Sequence, residues 1–333
     1  MSNRKNKIEN NSRRKFLYQS SMASLGLVLM GKNKLVANSL LFNGPNSKIK
    51  GVQIGCITYS FRSMPGSAEQ LLQYCKDAGI SAIELMGDPA EAFAGSPVGL
   101  MPPMNFRPPA ANEPAKPRMS GEEFMKAMEE RNAKARAWRE TASMDKFVEL
   151  RKMFNEAGIT IYAFKPDAAL GEKSTDAEID YAMKAAKALG ASSVNVELPT
   201  NMAHSKRLGE FGLKHKVYVG YHAHTQATDT AWDTALSQSP YNAINLDCGH
   251  YIAAGGANTK ETLLAFIETK HDRISSMHIK DRKSKTNGTT NMPWGQGDTP
   301  LKEILTLLKT KKYKIPATIE LEYDIPAGSD AVQ

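Results

Sequence analysis

Only three cysteines occur in 333 residues, an odd number, which excludes the disulfide framework that holds small secreted domains together. Cys56 and Cys248 fall in predicted strands and read as small buried hydrophobes. No stretch reaches the roughly 20 apolar residues that cross a bilayer; the one at residues 22–30 is too short. No glycine-rich phosphate loop follows the first strand pattern, which argues against an open dinucleotide-binding sheet. Excess charge is missing from the body of the chain as well. The formal net charge is +8, but residues 1–37 hold eight bases against Glu9 alone. Removing them from the chain's 43 bases and 35 acids leaves 35 and 34. A nucleic-acid footprint needs a basic patch that this composition does not supply.

The N-terminus carries a pattern of its own. Ser12-Arg13-Arg14-Lys15-Phe16-Leu17 resembles the twin-arginine translocation motif, and the apolar stretch 22–30 follows it. Lys32 and Lys34 come next, then Leu35-Val36-Ala37, a small-residue cleavage site. The order predicts a signal peptide over 1–37, recognition by the twin-arginine export machinery, a periplasmic protein beginning near Asn38 and a polar linker over 38–50. The twin-arginine route carries folded proteins, so no disulfide need form before export.

From residue 51 onward, apolar runs and amphipathic stretches alternate. The runs lie at 52–57, 81–85, 159–164, 193–197, 216–221, 243–246, 274–279 and 317–321. Stretches such as 68–78, 177–189 and 301–308 place apolar residues three or four apart. Gly79, Gly158 and Gly190 each precede a run, as helix-ending glycines do. Eight such units predict an α/β fold, a (β/α)8 TIM barrel over 51–333. Two departures stand out. The chain stops twelve residues after Leu321, so the eighth helix is missing or truncated. A rim insertion over 88–120 separates the second and third runs; residues 89–117 hold eight of the seventeen prolines, which predicts irregular structure and a lid or interface. Residues 121–158 read as one long or two shorter charged helices. The methionine-rich stretch 119–128 reads as a helix core face, and His204 and His271 as surface residues.

Acids and histidines recur where strands should hand over to loops: Glu84, Glu197, His222, His224, Asp247, His250, His278 and Glu320. In a closed parallel barrel these converge on one rim, and imidazole with carboxylate makes a divalent metal site. His222 and His224 alternate, as do Glu320 and Glu322, so each pair should face the lumen. Glu84 reads either as a substrate contact or as a salt-bridge partner for Lys280. Trp294 reads as a loop-packing residue that could instead meet a sugar.

The phrases GYHAH, LDCGH, MHIKD, MPWGQGD and TIELEY, with the opening strand IGCITYSF, resemble the xylose-isomerase-like TIM barrel superfamily of sugar isomerases and epimerases. The resemblance implies one divalent metal held by a glutamate, an aspartate, a histidine and a second glutamate. Asp247 matches the aspartate, His278 the histidine and Glu320 the final glutamate. Many members show Glu-x-His on the fifth strand, where this chain has His222-Ala223-His224. The fourth ligand is therefore His222, or Glu197 on the neighbouring strand. Mixed oxygen and nitrogen ligands suit Mn, Mg, Co or Zn; folding before export lets cytoplasmic Mn or Mg load first, which favours Mn.

Such a metal is a Lewis acid for substrates with two adjacent oxygens. The resemblance implies an enediolate route with Glu320 as one acid/base and Glu197, or His222 in its place, as the other. His250 and Lys280 would hold substrate oxygens, with Glu84, His224, Trp294 and Glu322 around the substrate. Sugar phosphates are scarce outside the cytoplasm, so export points to a free sugar, keto-sugar or glycoside. Isomerisation or epimerisation is the first expectation. β-Elimination on a keto-glycoside and non-catalytic sugar binding are the alternatives. The related apurinic endonucleases use a trinuclear zinc site and bind DNA, which the near-neutral body of the chain disfavours. A homo-oligomer is also possible.

Overall fold

Each of the eight apolar runs forms a strand. The computed structural model describes residues 44–103, 120–326 and 328–333; the expected signal peptide and residues 104–119 lie outside the described residues. The chain divides at Gly44, and Gly44–Gln333 forms one compact unit that holds all eight strands. In order come β1 (Val52–Ile57), α1 (Ala68–Asp77), β2 (Ala82–Met86), α2 (Gly87–Phe93), α3 (Gly121–Arg139), α4 (Asp145–Glu156) and β3 (Thr160–Lys165). Then follow α5 (Asp176–Leu189), β4 (Ser193–Glu197), α6 (Met202–His215), β5 (Tyr218–His222) and α7 (Asp233–Gln238). The remainder is β6 (Asn242–Asp247), α8 (Cys248–Ala254), α9 (Lys260–Lys270), β7 (Ile274–Ile279), α10 (Leu301–Lys311) and β8 (Ala317–Ile319).

Neighbouring strands pair in parallel around the set, and β1 pairs with both β2 and β8, so the barrel closes. Closure buries both faces of every strand, which is why the runs are apolar throughout rather than alternating. The helices begin and end where their sequences direct. Ser67 and Thr175 open α1 and α5 with capping boxes to Gln70 and Glu178. Gly190 closes α5 at φ 77°, a left-handed conformation that a side chain would resist. The register shifts between Ile83 and Glu84 and between Ile244 and Asn245. The first falls at Glu84 and the second two residues before Asp247, and bulges re-aim the side chains near them. No helix among the described residues is long and apolar enough to cross a membrane.

Several expectations are corrected here. Pro89 is helical, the third residue of α2, because the first turn of a helix has no internal partner for the amide that proline lacks. The methionine-rich stretch is not a core face: Phe124 and Met125 are exposed, and α3 buries only Ala135 and Arg139 near its C-terminal end. His204 is buried, with its Nε2 2.9 Å from the Leu170 carbonyl. Cys248 opens α8 rather than lying in a strand, and all three cysteines are free and buried. Residues 44–50, read as linker, pack on the barrel: buried Ser47 bonds Ile54 and Ser81, and Lys48–Ile49 pairs with β1.

The residues around 121–158 form two helices, α3 and α4. What fixes α3 is a buried ion cluster. Arg139 donates to both oxygens of Glu91 at 2.8 and 3.0 Å and to Glu178 at 3.3 Å, and the Tyr181 hydroxyl donates to Glu91 at 3.2 Å. Among the described residues no helix follows β8. Ala331 and Val332 pack against the core instead, and Asp330 helps burial raise the Tyr74 phenol on α1.

Candidate metal centre

The register aligns the polar strand ends. Glu197 pairs with His222, Asp247 with His278, and Ile57 with Glu84. His222, Asp247 and His278 each offer a donor atom, all within 4.8 Å of one another, and all three residues are buried. His278 sits at the middle of the cluster. Its Nε2 lies 3.0 Å from Glu84 Oε2, and its Nδ1 lies 3.1 Å from Glu320 Oε2 and 3.9 Å from Asp247 Oδ2. The His222 and His278 ring centres are 5.0 Å apart.

The spacing of Asp247-Cys248-Gly249-His250 has a local cause. Asp247 caps α8: its Oδ1 accepts the His250 amide at 2.6 Å. The cap fixes the carboxylate and leaves Oδ2 toward the cluster. Gly249 is required beside it, since a Cβ there would lie 2.8 Å from Lys280 Cγ and 2.9 Å from the Lys280 carbonyl. His222 is oriented from below. Its Nδ1 donates to Asn245 Oδ1 at 2.8 Å, and Asn245 donates to Ser276 at 2.8 Å, which leaves Nε2 as the nitrogen with a lone pair.

Charge sorts these groups. Burial, then the His278 charge and Lys165, hold His222 well below its ordinary value, so it is neutral. Burial would do the same to His278, but Glu320 and Glu84 outweigh it and push the imidazole up to about 10. Burial would raise Glu320, yet His278 and Lys280 hold it well below the usual carboxylate range. Lys280 is raised despite burial by Asp247, Glu320 and Glu322, its ammonium lying 3.0, 2.8 and 2.6 Å from their carboxylates. Its Nζ is also 2.9 Å from His250 Nε2, and Arg282 contacts His250 Nδ1. Burial, then Lys280, His224 and Arg282, keeps His250 neutral. A neutral imidazole accepts at one nitrogen only, so one of these two contacts is a hydrogen bond at a time.

The remaining predicted residues fall around this cluster. Glu320 and Glu322 lie just past β8, not within it, and both reach Lys280. Glu84 pairs with His278 rather than with Lys280. His224 lies beyond the end of β5 and is exposed, its ring 4.9 Å from that of His222 and 4.5 Å from that of His250. Glu197 does not join the buried group. Its side chain is 46% exposed, 3.2 Å from Lys165 Nζ and 3.8 Å from His224. Trp294 is exposed on the loop that Asp281 holds by accepting the amides of Gly295, Gly297 and Thr299. Sequence reasoning missed Asn245, Lys165, Asp281 and Arg282. Asn245 was findable, since it stands two residues before Asp247 on the same strand face.

Whether a metal suits these residues can be judged from their unmet bonding. Glu84 Oε1 and Asp247 Oδ2 are buried without a hydrogen-bond partner; the Lys280 contact to Oδ2 lacks the alignment of one. Orphaned buried acceptors cost about 1–3 kcal/mol each, more when charged. A divalent cation among Asp247, His278, His222 and Glu320 would relieve the Asp247 deficit, with two nitrogens and two carboxylates, a donor set that fits. The positive charge on His278 occupies the same place electrostatically when no metal is bound, and must leave as a proton for the ring to become a ligand.

Comparison with solved structures gives the same architecture. The probable 3-DHS dehydratase AsbF from Bacillus anthracis aligns at a TM-score of 0.56 and 15% identity, over 84% of this chain and 96% of its own. The 3-keto-D-glucoside 4-epimerase YcjR from E. coli aligns at 0.51 and 12%, over 84% and 95%. A xylose isomerase-like TIM barrel protein from Mycobacterium smegmatis, in complex with magnesium, aligns at 0.50 and 12%, over 84% and 92%. A comparison with curated proteins finds no match. The family model described as "Xylose isomerase-like TIM barrel" matches residues 72–333. With that match over most of the chain and a closed eight-stranded barrel carrying polar residues at its rim, this protein belongs to the xylose isomerase-like TIM barrel family.

Proposed function

We propose that this protein is a divalent-metal-dependent sugar isomerase or epimerase that works through an enediolate on a free sugar, keto-sugar or glycoside. The observation that carries this reading is the buried convergence of His222, Asp247 and His278, with Glu320 and the Lys280 ammonium alongside. The metal, with Mn favoured, supplies Lewis acidity that eases loss of a proton beside a carbonyl. Glu320 is the base: its carboxylate takes that proton, and the C–H electron pair moves into the enediolate. Lys280 and His250 hold the substrate oxygens. With His222 as the metal ligand, Glu197 is free to return a proton from the other face, giving epimerisation. Return to the neighbouring carbon gives isomerisation. The dehydratase among the similar structures supports a second reading, β-elimination. There the same proton is removed and the β-substituent leaves with its bonding electrons.

Paired substitutions test the ligand set. In equilibrium dialysis with Mn, His222→Gln is expected to weaken binding by at least about 10- to 100-fold, the loss caused by removing even a hydrogen-bond partner of a ligand. Glu197→Gln should leave binding unchanged and lower turnover. The reverse pattern would make Glu197 the ligand. Export belongs to the same reading, because it directs the choice away from sugar phosphates. Arg13→Lys with Arg14→Lys is expected to hold the protein in the cytoplasm, whereas the native sequence should yield a periplasmic chain starting near Asn38. Fractionation that found unprocessed native protein in the cytoplasm would contradict it.

A further inference from the structure

Beside the metal cluster, over the ends of β1, β2 and β3, lies a cavity of about 250 Å³. Tyr59, Met64, Met86, Leu100 and Met101 line it, together with Lys165. The register explains the placement. Met86 stands two residues beyond Glu84, on the same strand face, and pairs with Lys165 on β3. The Lys165 ammonium bonds Glu197 at 3.2 Å and Asp167 at 3.1 Å, and its charge reaches His222. The Lys165 end of the cavity is therefore charged, and methionine, leucine, proline and phenylalanine side chains make up most of the remaining lining. Its charged lining groups away from Lys165 are committed to protein partners. Arg139 and Glu91 bond each other, Arg62 donates to the Leu321 carbonyl, and Asp88, half exposed, lies 3.5 Å from Arg131.

A free sugar does not need such a chamber, because its hydroxyls would lose water there against a largely apolar lining and find few replacement bonds. We propose that this cavity is the subsite for an apolar, aryl aglycone, so that the substrate is an aryl keto-glycoside whose sugar ring lies at the metal cluster and whose aglycone lies against Met86, Leu100 and Met101. The proposal rests on the keto-sugar reading above. The size agrees: a buried apolar cavity of about 150 Å³ holds benzene, and the one here is larger. Lys165 marks the boundary between the two halves of the ligand, where its ammonium meets the glycosidic oxygen or a ring hydroxyl.

The test compares phenyl and methyl keto-glycosides of the same sugar on the full-length, metal-loaded protein. The kcat/KM ratio of phenyl to methyl is expected to be at least about tenfold, the scale that burying a phenyl group returns after ordering costs. Leu100→Asp and Met101→Asp put a carboxylate in the chamber from a partly exposed loop, and each should bring the ratio close to one. Equal turnover of both substrates by the native protein would overturn the aglycone subsite while upholding the enediolate reading. If neither substrate is turned over, the keto-glycoside form of that reading fails. The cavity is then judged by ligand-observed NMR with phenyl β-D-glucoside. Saturable binding that Leu100→Asp abolishes supports it, and no binding overturns it.

Discussion

Glu320→Gln is expected to lower the rate of C–H exchange about 10³-fold, within the range that a positioned general base contributes. The amide keeps the shape and can still ligate weakly, but it cannot take a proton. His278 and Lys280, 3.1 and 2.8 Å from the Glu320 carboxylate, hold that group ionised and ready to accept at neutral pH. Their charges also lower its basicity. A divalent cation held there would replace the single His278 charge with a larger one, so base strength and metal occupancy would be linked. The check is single-turnover exchange with metal content measured on the same samples. Near-normal exchange by the variant would move the role to Glu322, 2.6 Å from Lys280.

Arg139→Ala is expected to destabilise the folded chain by about 3–5 kcal/mol, the cost of stranding a buried charge. The Arg139, Glu91 and Glu178 side chains are 5%, 4% and 1% exposed. Glu178 keeps Arg136 at 3.0 Å, so Glu91 bears the loss, with only the Tyr181 hydroxyl remaining. Adding Glu91→Gln to Arg139→Ala should therefore recover a large part of it. Urea unfolding of both variants measures this, and a change under about 1 kcal/mol for Arg139→Ala would show that the cluster does not pin α3. The consequence reaches the rim, since Arg139 and Glu91 also line the proposed aglycone chamber.

How legible these features are in the sequence depends on their range. All eight strands were readable within about two residues, because burial on both faces makes each run apolar regardless of its partners. Gly79, Gly158 and Gly190 marked helix ends for a reason internal to the backbone: each has positive φ. The Asp247-to-His250 spacing was readable because the cap that fixes it is local. Other features depend on partners distant in sequence. Nothing around Lys165 announces Glu197, and nothing around Arg139 announces Glu91. The methionines of α3 look like a core stripe, yet no element among the described residues buries them. Which of His222 and Glu197 faces the buried cluster also depends on geometry. The two are register partners on adjacent strands, but Glu197 turns out to Lys165 while Asn245 holds His222 inward.

Solvent isotope exchange tests the central claim most directly. Metal-loaded protein is incubated in D2O with a panel of free sugars, keto-sugars and keto-glycosides, before and after chelation and after Mn is restored. The account predicts deuterium at the carbon beside the carbonyl of at least one substrate, lost on chelation and regained with Mn. Exchange that persists in full after the metal is removed, or a fully loaded protein that exchanges no member of the panel, would contradict it.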